Sequence, residues 1–268
     1  MPENLINIFN LIGVSHIIAL SGFNIMIICR FVERFFVEWL SRKISFFLSL
    51  ILIILFILMA GAQASLIRAG IMAIFVLLGQ NFARLSSVKN ALIFACAIML
   101  ILNPKILFFD VGFQLSFLAT CGLIWLPPLI KKYFQFVPNF FSLREYIIAT
   151  FSALIFVYPF LIYSFGRFSL IAPLANILIL PFIPLTMLLG FLSGFLGMIS
   201  VFLGQIIGLV PFILLRYILE ISKFFAEIPF ASLEIKKFPL FLMVVCYVII
   251  FSWMFFLKRK NSKQIFPS

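Results

Sequence analysis

Residues Leu240–Leu257 read L-F-L-M-V-V-C-Y-V-I-I-F-S-W-M-F-F-L, with no charged residue and no alternation of polar with apolar positions. A bilayer core is crossed by a helix of about 20 predominantly apolar residues, and this run is nearly that length. A second run, I-S-F-F-L-S-L-I-L-I-I-L-F-I-L-M-A over Ile44–Ala60, has the same character. Transmembrane barrel strands would alternate apolar and polar residues over about ten positions, and neither run does. Helices are the remaining spanning solution, because each satisfies its backbone hydrogen bonds within its own segment.

Composition extends this reading to the whole chain. Of 268 residues, 65% are hydrophobic and 10% charged. A soluble domain is about 45–50% apolar and about 25% charged. These values exclude a soluble globular protein, a disordered chain, a disulfide scaffold and a soluble nucleic-acid-binding domain, despite the net charge of +12. The sequence predicts an all-α, polytopic membrane protein with about nine segments, some interrupted. They fall near 11–29, 44–60, 64–80, 90–102, 111–130, 146–165, 169–189, 190–212 and 239–257. No internal repeat or soluble segment divides the chain, so residues 1–268 are expected to form one membrane domain.

Two stretches read as amphipathic helices resting on the bilayer. In Arg30–Ser41 the charges Arg30, Glu33, Arg34 and Glu38 gather on one side, opposite Phe31, Phe35, Phe36 and Trp39. In Pro211–Ile228, Arg216, Glu220, Lys223 and Glu227 share one arc, with i, i+4 pairs expected for Arg216–Glu220 and Lys223–Glu227. Of the 20 Lys and Arg residues, thirteen fall on one side of the expected spans and six on the other, with Arg68 inside the membrane. The positive-inside rule then places the N-terminus outside and the C-terminus inside.

The four cysteines, Cys29, Cys96, Cys121 and Cys246, have no C-x-x-C spacing and read as small core residues. The single histidine, His16, cannot build a histidine-rich metal site. The N-terminus has no cationic lead-in or cleavage site of a signal peptide. No catalytic residue, metal or cofactor is expected.

Polar residues at membrane depth are costly and are therefore the functional candidates. Gly13–Asn24 reads G-V-S-H-I-I-A-L-S-G-F-N; on a continuous helix Asn10, Gly13, His16, Ser21 and Asn24 form one polar stripe. The stripe fits either a cavity lining or interhelical packing through small residues. Ala60–Gly70 reads A-G-A-Q-A-S-L-I-R-A-G, placing Arg68 one turn into a span. Its guanidinium could snorkel to the interface or face a cavity, where its fork suits an anion. Asp110–Phe117 reads D-V-G-F-Q-L-S-F; Asp110 is expected to N-cap a helix that carries Gln114, with an ion pair to Arg68 as a hypothesis. Phe165–Pro184 contains Pro173, Pro181 and Pro184 around Asn176, the pattern of a kinked or interrupted helix.

In order and spacing these four clusters resemble the competence domain of the ComEC family, the inner-membrane DNA-uptake proteins of transformable bacteria. Gly13-Val14-Ser15-His16 through Ser21-Gly22 looks like that family's opening motif, and Arg68-Ala69 matches its arginine-alanine. Asp110-Val111-Gly112-Phe113-Gln114-Leu115-Ser116 looks like its D-x-G-F-Q-L-S. Phe165-Gly166, Ser169, Pro173, Leu174, Ala175 and Asn176 match its F-G-x-x-S-x-x-x-P-x-A-N. The match is strong over residues 2–190. Asn24 departs from it, since relatives often carry histidine there. Full-length relatives also have an oligonucleotide-binding domain upstream and a metallo-β-lactamase-like nuclease downstream. Neither is legible in this chain, which is expected to be a pared-down homologue or a fragment. No G-x-x-x-x-G-K-S/T loop marks an ATP motor.

The resemblance implies a passive channel for single-stranded DNA in the bacterial plasma (inner) membrane, lined or gated by His16, Ser21, Asn24, Arg68, Asp110, Gln114 and Asn176. The implied partners are single-stranded DNA, membrane lipids, a helicase motor, a DNA receptor, a separate nuclease subunit and a second copy of the chain. The alternatives are a secondary transporter of a small anionic or lipid-linked solute, and a scaffold for a separate nuclease or DNA-binding subunit.

Overall fold

The computed structural model describes residues 2–14, 25, 41–61, 64–81, 88–137, 143–229, 231–235 and 238–265. His16, Ser21, Asn24, Gln63, Cys29 and nearly all of the segments expected at 11–29 and 30–41 lie outside the described residues. The chain is an all-α polytopic membrane protein. Among the described residues, five helical stretches are long and apolar enough to cross a membrane: Val111–Phe134, Leu143–Phe165, Ala172–Ile199, Val201–Ala226 and Leu240–Arg259. Lys43–Met59, Leu66–Leu78 and Val88–Leu102 are shorter apolar helices. Contacts divide the molecule into two compact units.

One unit spans His16–Ile124. The helices α2 (Arg42–Met59) and α3 (Ala64–Asn81) follow one another across Gly61, whose φ of +78° favours glycine. A β-carbon on Gly70 would meet Ile57 Cδ1, the movable end of that side chain. Ile25, Ile53, Leu66 and Leu77 form the buried core, flanked by Phe56, Ile57, Ala69 and Ala73. Helix α4 (Val88–Leu102) lies against α3, with the Phe75 and Phe94 rings 4.6 Å apart. A short helix α5 (Ile106–Phe109) leads into α6 (Val111–Trp125).

The other unit comprises Met1–Ser15 and Trp125–Ser268. It holds α1 (Glu3–Leu11), α7 (Pro127–Ile130), α8 (Leu143–Phe165), α9 (Ala172–Ile179), α10 (Ile183–Ile199), α11 (Val201–Ala226) and α12 (Leu240–Ile265). Tyr247 Oη of α12 donates to the Phe156 carbonyl of α8 over 2.9 Å, and Phe251 meets Phe156 edge to face. A two-stranded antiparallel sheet, β1 (Arg167–Ser169) with β2 (Ser232–Glu234), pairs Phe168 with Leu233. The apolar pattern gives no sign of these three-residue strands. Gly166, at φ +64°, ends α8 and turns the chain into β1.

Three expectations need correction. First, α1 stops at Leu11, and the turn at Ile12–Gly13 breaks the continuous helix on which Asn10 and Gly13 would share a stripe with later residues. Second, the break expected near 190 falls at Ser200, which is extended (φ −151°, ψ 123°). Small residues place it there. Gly204 lies so close to Gly197 that a β-carbon would be 2.6 Å from its Cα, and Ser193 Oγ donates to the Gly204 carbonyl over 2.8 Å. The two helices therefore close directly on each other. Third, Pro211–Ile228 is not a separate surface helix; Pro211 is buried inside α11, one continuous 26-residue membrane-capable helix. Its charge pairing also differs, since Lys223 bonds Glu220 at i, i+3 over 3.2 Å. Among the described residues neither expected i, i+4 pair forms.

The proline-rich segment is interrupted as expected. Pro173 opens α9, Pro181 sits in the 3₁₀ turn Leu180–Phe182, and Pro184 opens α10. Thr186 Oγ1 donates to the Phe182 carbonyl one turn back over 2.7 Å, the i−4 back-bond of a helical threonine.

Candidate functional site

Among the described residues, Arg68 meets the Asp110–Phe117 segment in one unit, and Gly13 meets the segment after Gly166 in the other. In the first unit the pair is Arg68 on α3 and the D-V-G-F-Q-L-S-F segment on α6. Asp110 makes the expected cap: the Phe113 amide donates to its Oδ1 over 2.9 Å. Gln114 Nε2 donates to the Leu107 carbonyl over 2.6 Å, which ties the start of α6 to α5. Phe113 is buried, and its ring lies 4.4 Å from that of Phe117.

Arg68 docks on the helix so positioned. It is 7% exposed, so its head does not snorkel outward. Its Nη1 donates to the Ser116 carbonyl and to Thr120 Oγ1, and the guanidinium sits 5.5 Å from the centre of the Phe117 ring. The Thr120 hydroxyl in turn donates to the Ser116 carbonyl over 2.8 Å, closing a three-membered network. Arg68 Nε is buried with no hydrogen-bond partner among the described residues. The hypothetical ion pair is therefore corrected: Asp110 serves the α6 backbone, and Arg68 takes a carbonyl and a hydroxyl instead. Thr120 and the Phe117 ring complete the setting. Thr120 stands one helical turn beyond Ser116, outside the D-V-G-F-Q-L-S-F motif.

In the second unit, Gly13 pairs with the segment after Gly166. Gly13 has φ +71°, and a β-carbon on it would lie 2.7 Å from Ala172 Cβ and 3.2 Å from Ser169 Cβ. Ser169 is held on three sides. Its Oγ donates to the Ala231 carbonyl over 3.3 Å, its own carbonyl accepts from Tyr158 Oη over 2.8 Å, and its strand pairs with β2. Asn176, one turn beyond Ala172 on α9, is 3% exposed, and its Oδ1 has no partner among the described residues. Thr150 and Ser152 on α8 are also buried, their hydroxyls without a partner among the described residues. Both were visible as polar breaks in an apolar span, and Tyr158 carried no sequence signal for its role.

Both sites hold buried polar atoms with no hydrogen-bond partner among the described residues. An orphaned buried donor or acceptor costs about 1–3 kcal/mol. One atom is a cationic donor and the others are neutral. Cys96, Cys121 and Cys246 are free thiols, partly buried.

Residues 1–260 match the model of the family described as Competence protein. The chain is 28% identical over 197 residues to ComE operon protein 3 of Bacillus subtilis (strain 168), covering 73% of this chain and 24% of that relative. It thus spans about a quarter of the relative's length. No solved structure matches the chain at a significant level.

Proposed function

The chain belongs to the competence protein family, and on that premise we propose that it forms part of the path by which single-stranded DNA crosses the bacterial plasma membrane during natural transformation. In this reading the membrane domain supplies passage, not chemistry, and the pulling force comes from a partner motor. The supporting observation is Arg68, a guanidinium buried among apolar helices, anchored through Nη1 to α6 with Nε unpartnered. A fixed cation at membrane depth lowers the barrier for a phosphate passing it, since the barrier to a polyanion is chiefly electrostatic. Asn176 offers a neutral polar contact in its own unit, as His16, Ser21 and Asn24 would on the first segment. Asp110 and Gln114 act indirectly, by fixing the start of α6.

The test is a strand-uptake assay in transformable cells carrying Arg68→Ala or Asn176→Leu chains that insert at normal levels. Import should fall at least tenfold for Arg68→Ala and several-fold for Asn176→Leu. Full-rate import by both would refute the assignment. A secondary transporter of a small anionic solute would use the same buried Arg68. Solute-coupled proton flux in liposomes without DNA would identify that activity.

A further inference from the structure

Between α7 and α8 the chain reads Lys131-Lys132-Tyr133-Phe134-Gln135-Phe136-Val137, a 3₁₀ turn followed by a bend. Arg144, in the first turn of α8, holds it in place. Arg144 Nε donates to the Val137 carbonyl over 2.9 Å, and Nη2 donates to the Gln135 and Val137 carbonyls over 3.0 and 2.6 Å. Phe134 packs on Phe151 of α8 with ring centres 6.1 Å apart. The turn is thus pinned at Phe134, Gln135 and Val137 to a membrane-capable helix. What it presents outward is cationic and aromatic: Lys131 and Tyr133 are exposed, and Phe136 is 82% exposed.

We propose that this turn is a binding site for anionic phospholipid headgroups, which seats the start of α8 at the bilayer surface. Lysines just outside a span attract anionic headgroups, and rings beside them settle at headgroup depth. Lys131 and Lys132 supply the charge, and Phe136 and Tyr133 the interfacial rings. A nucleic-acid strand fits the same residues less well. Successive bases need successive open aromatic faces. Here the Phe134 ring is turned onto Phe151, and the Lys132 ammonium lies over Tyr133, 5.1 Å from its ring centre. Phe136 is exposed, with its ring stacked beside that of Phe134 at 6.3 Å between centres. The proposal depends on α8 spanning the membrane and is independent of DNA passage.

Native mass spectrometry of the detergent-solubilised full chain, offered equal phosphatidylglycerol and phosphatidylcholine, tests it. The unmodified chain should retain phosphatidylglycerol preferentially. Lys131→Gln with Lys132→Gln should cut that preference about fivefold per lysine. Phe136→Ser should reduce it further, while Lys131→Arg with Lys132→Arg should keep it. An unchanged preference in the glutamine pair would overturn the proposal, as would its loss in the arginine pair, whose charge is intact. A labelled oligothymidylate titrated onto the chain in phosphatidylcholine nanodiscs forms the second arm. Its binding should be equal in the parent chain and the glutamine pair. Binding lost there, with the lipid preference intact, would assign the turn to nucleic acid. Uptake in cells can succeed or fail without altering either readout.

Discussion

Gly13 lies against Ala172 with no room for a side chain: a β-carbon on Gly13 would stand 2.7 Å from that of Ala172. The backbone there is left-handed, at φ +71°, so two independent constraints select glycine. Gly13→Ala should lower the thermal midpoint of the detergent-solubilised chain by several degrees, from about 1–2 kcal/mol of backbone strain plus the overlap. Ala172→Gly in the same chain should recover only part of that loss, because it relieves the overlap and leaves the strain. A fluorescence melting curve for each variant decides this, and an unshifted Gly13→Ala midpoint would count against the contact.

Thr120 is an acceptor for Arg68 and a donor to the Ser116 carbonyl. Thr120→Val keeps the shape and removes both roles, which should cost about 1–3 kcal/mol by leaving more of a buried guanidinium unpaired. Thr120→Ser should stay close to the parent chain. The comparison is made by thermal melting, and equal losses for Val and Ser would point to packing of the methyl group instead.

Asp110 caps α6 and does not neutralise Arg68. Asp110→Asn should therefore be nearly silent, since asparagine caps as well, whereas Asp110→Ala should lose about 1 kcal/mol. The charge swap Asp110→Arg with Arg68→Asp should not restore folded yield. Rescue by the swapped pair, measured as monodisperse protein after extraction, would reinstate the ion pair.

Glycines on the two sides of α10 and α11 should behave oppositely. Gly204 abuts Gly197 Cα, a backbone atom that cannot yield, so Gly204→Ala should destabilise the α10–α11 hairpin by about 1–3 kcal/mol. A β-carbon on Gly190 would meet nothing within 4 Å. Gly190→Ala should be neutral or stabilising by up to about 1 kcal/mol through helix propensity. Melting curves of both, recorded in one detergent, give the sign directly.

Much of the fold is legible in sequence because its signal is local. An apolar run such as Leu240–Leu257 has one spanning solution, and Asp110 preceding an apolar helix has an obvious cap to make. Prolines 173, 181 and 184 announce an interrupted helix, since each lacks an amide whatever its surroundings. The break at Ser200 was not legible, because it depends on which small residues of α10 meet Gly204 and Gly208 of α11. Lys223 choosing Glu220 over Glu227 is a similar case, decided among rotamers of nearly equal energy.

By itself, the sequence determined that this chain lives in a membrane and which few polar residues it carries there at a cost. Composition and run length suffice for that, because the bilayer accepts only segments that satisfy their own backbones. The tertiary structure decided the partners. Arg68 was equally free, on its sequence, to snorkel, to face a cavity or to seek Asp110, and packing turned it onto Ser116 and Thr120. Gly13 could have been any small residue of a stripe until Ala172 came to rest on it. Which distant residues meet is set by side-chain volumes and close-packed helices, and no local periodicity encodes that.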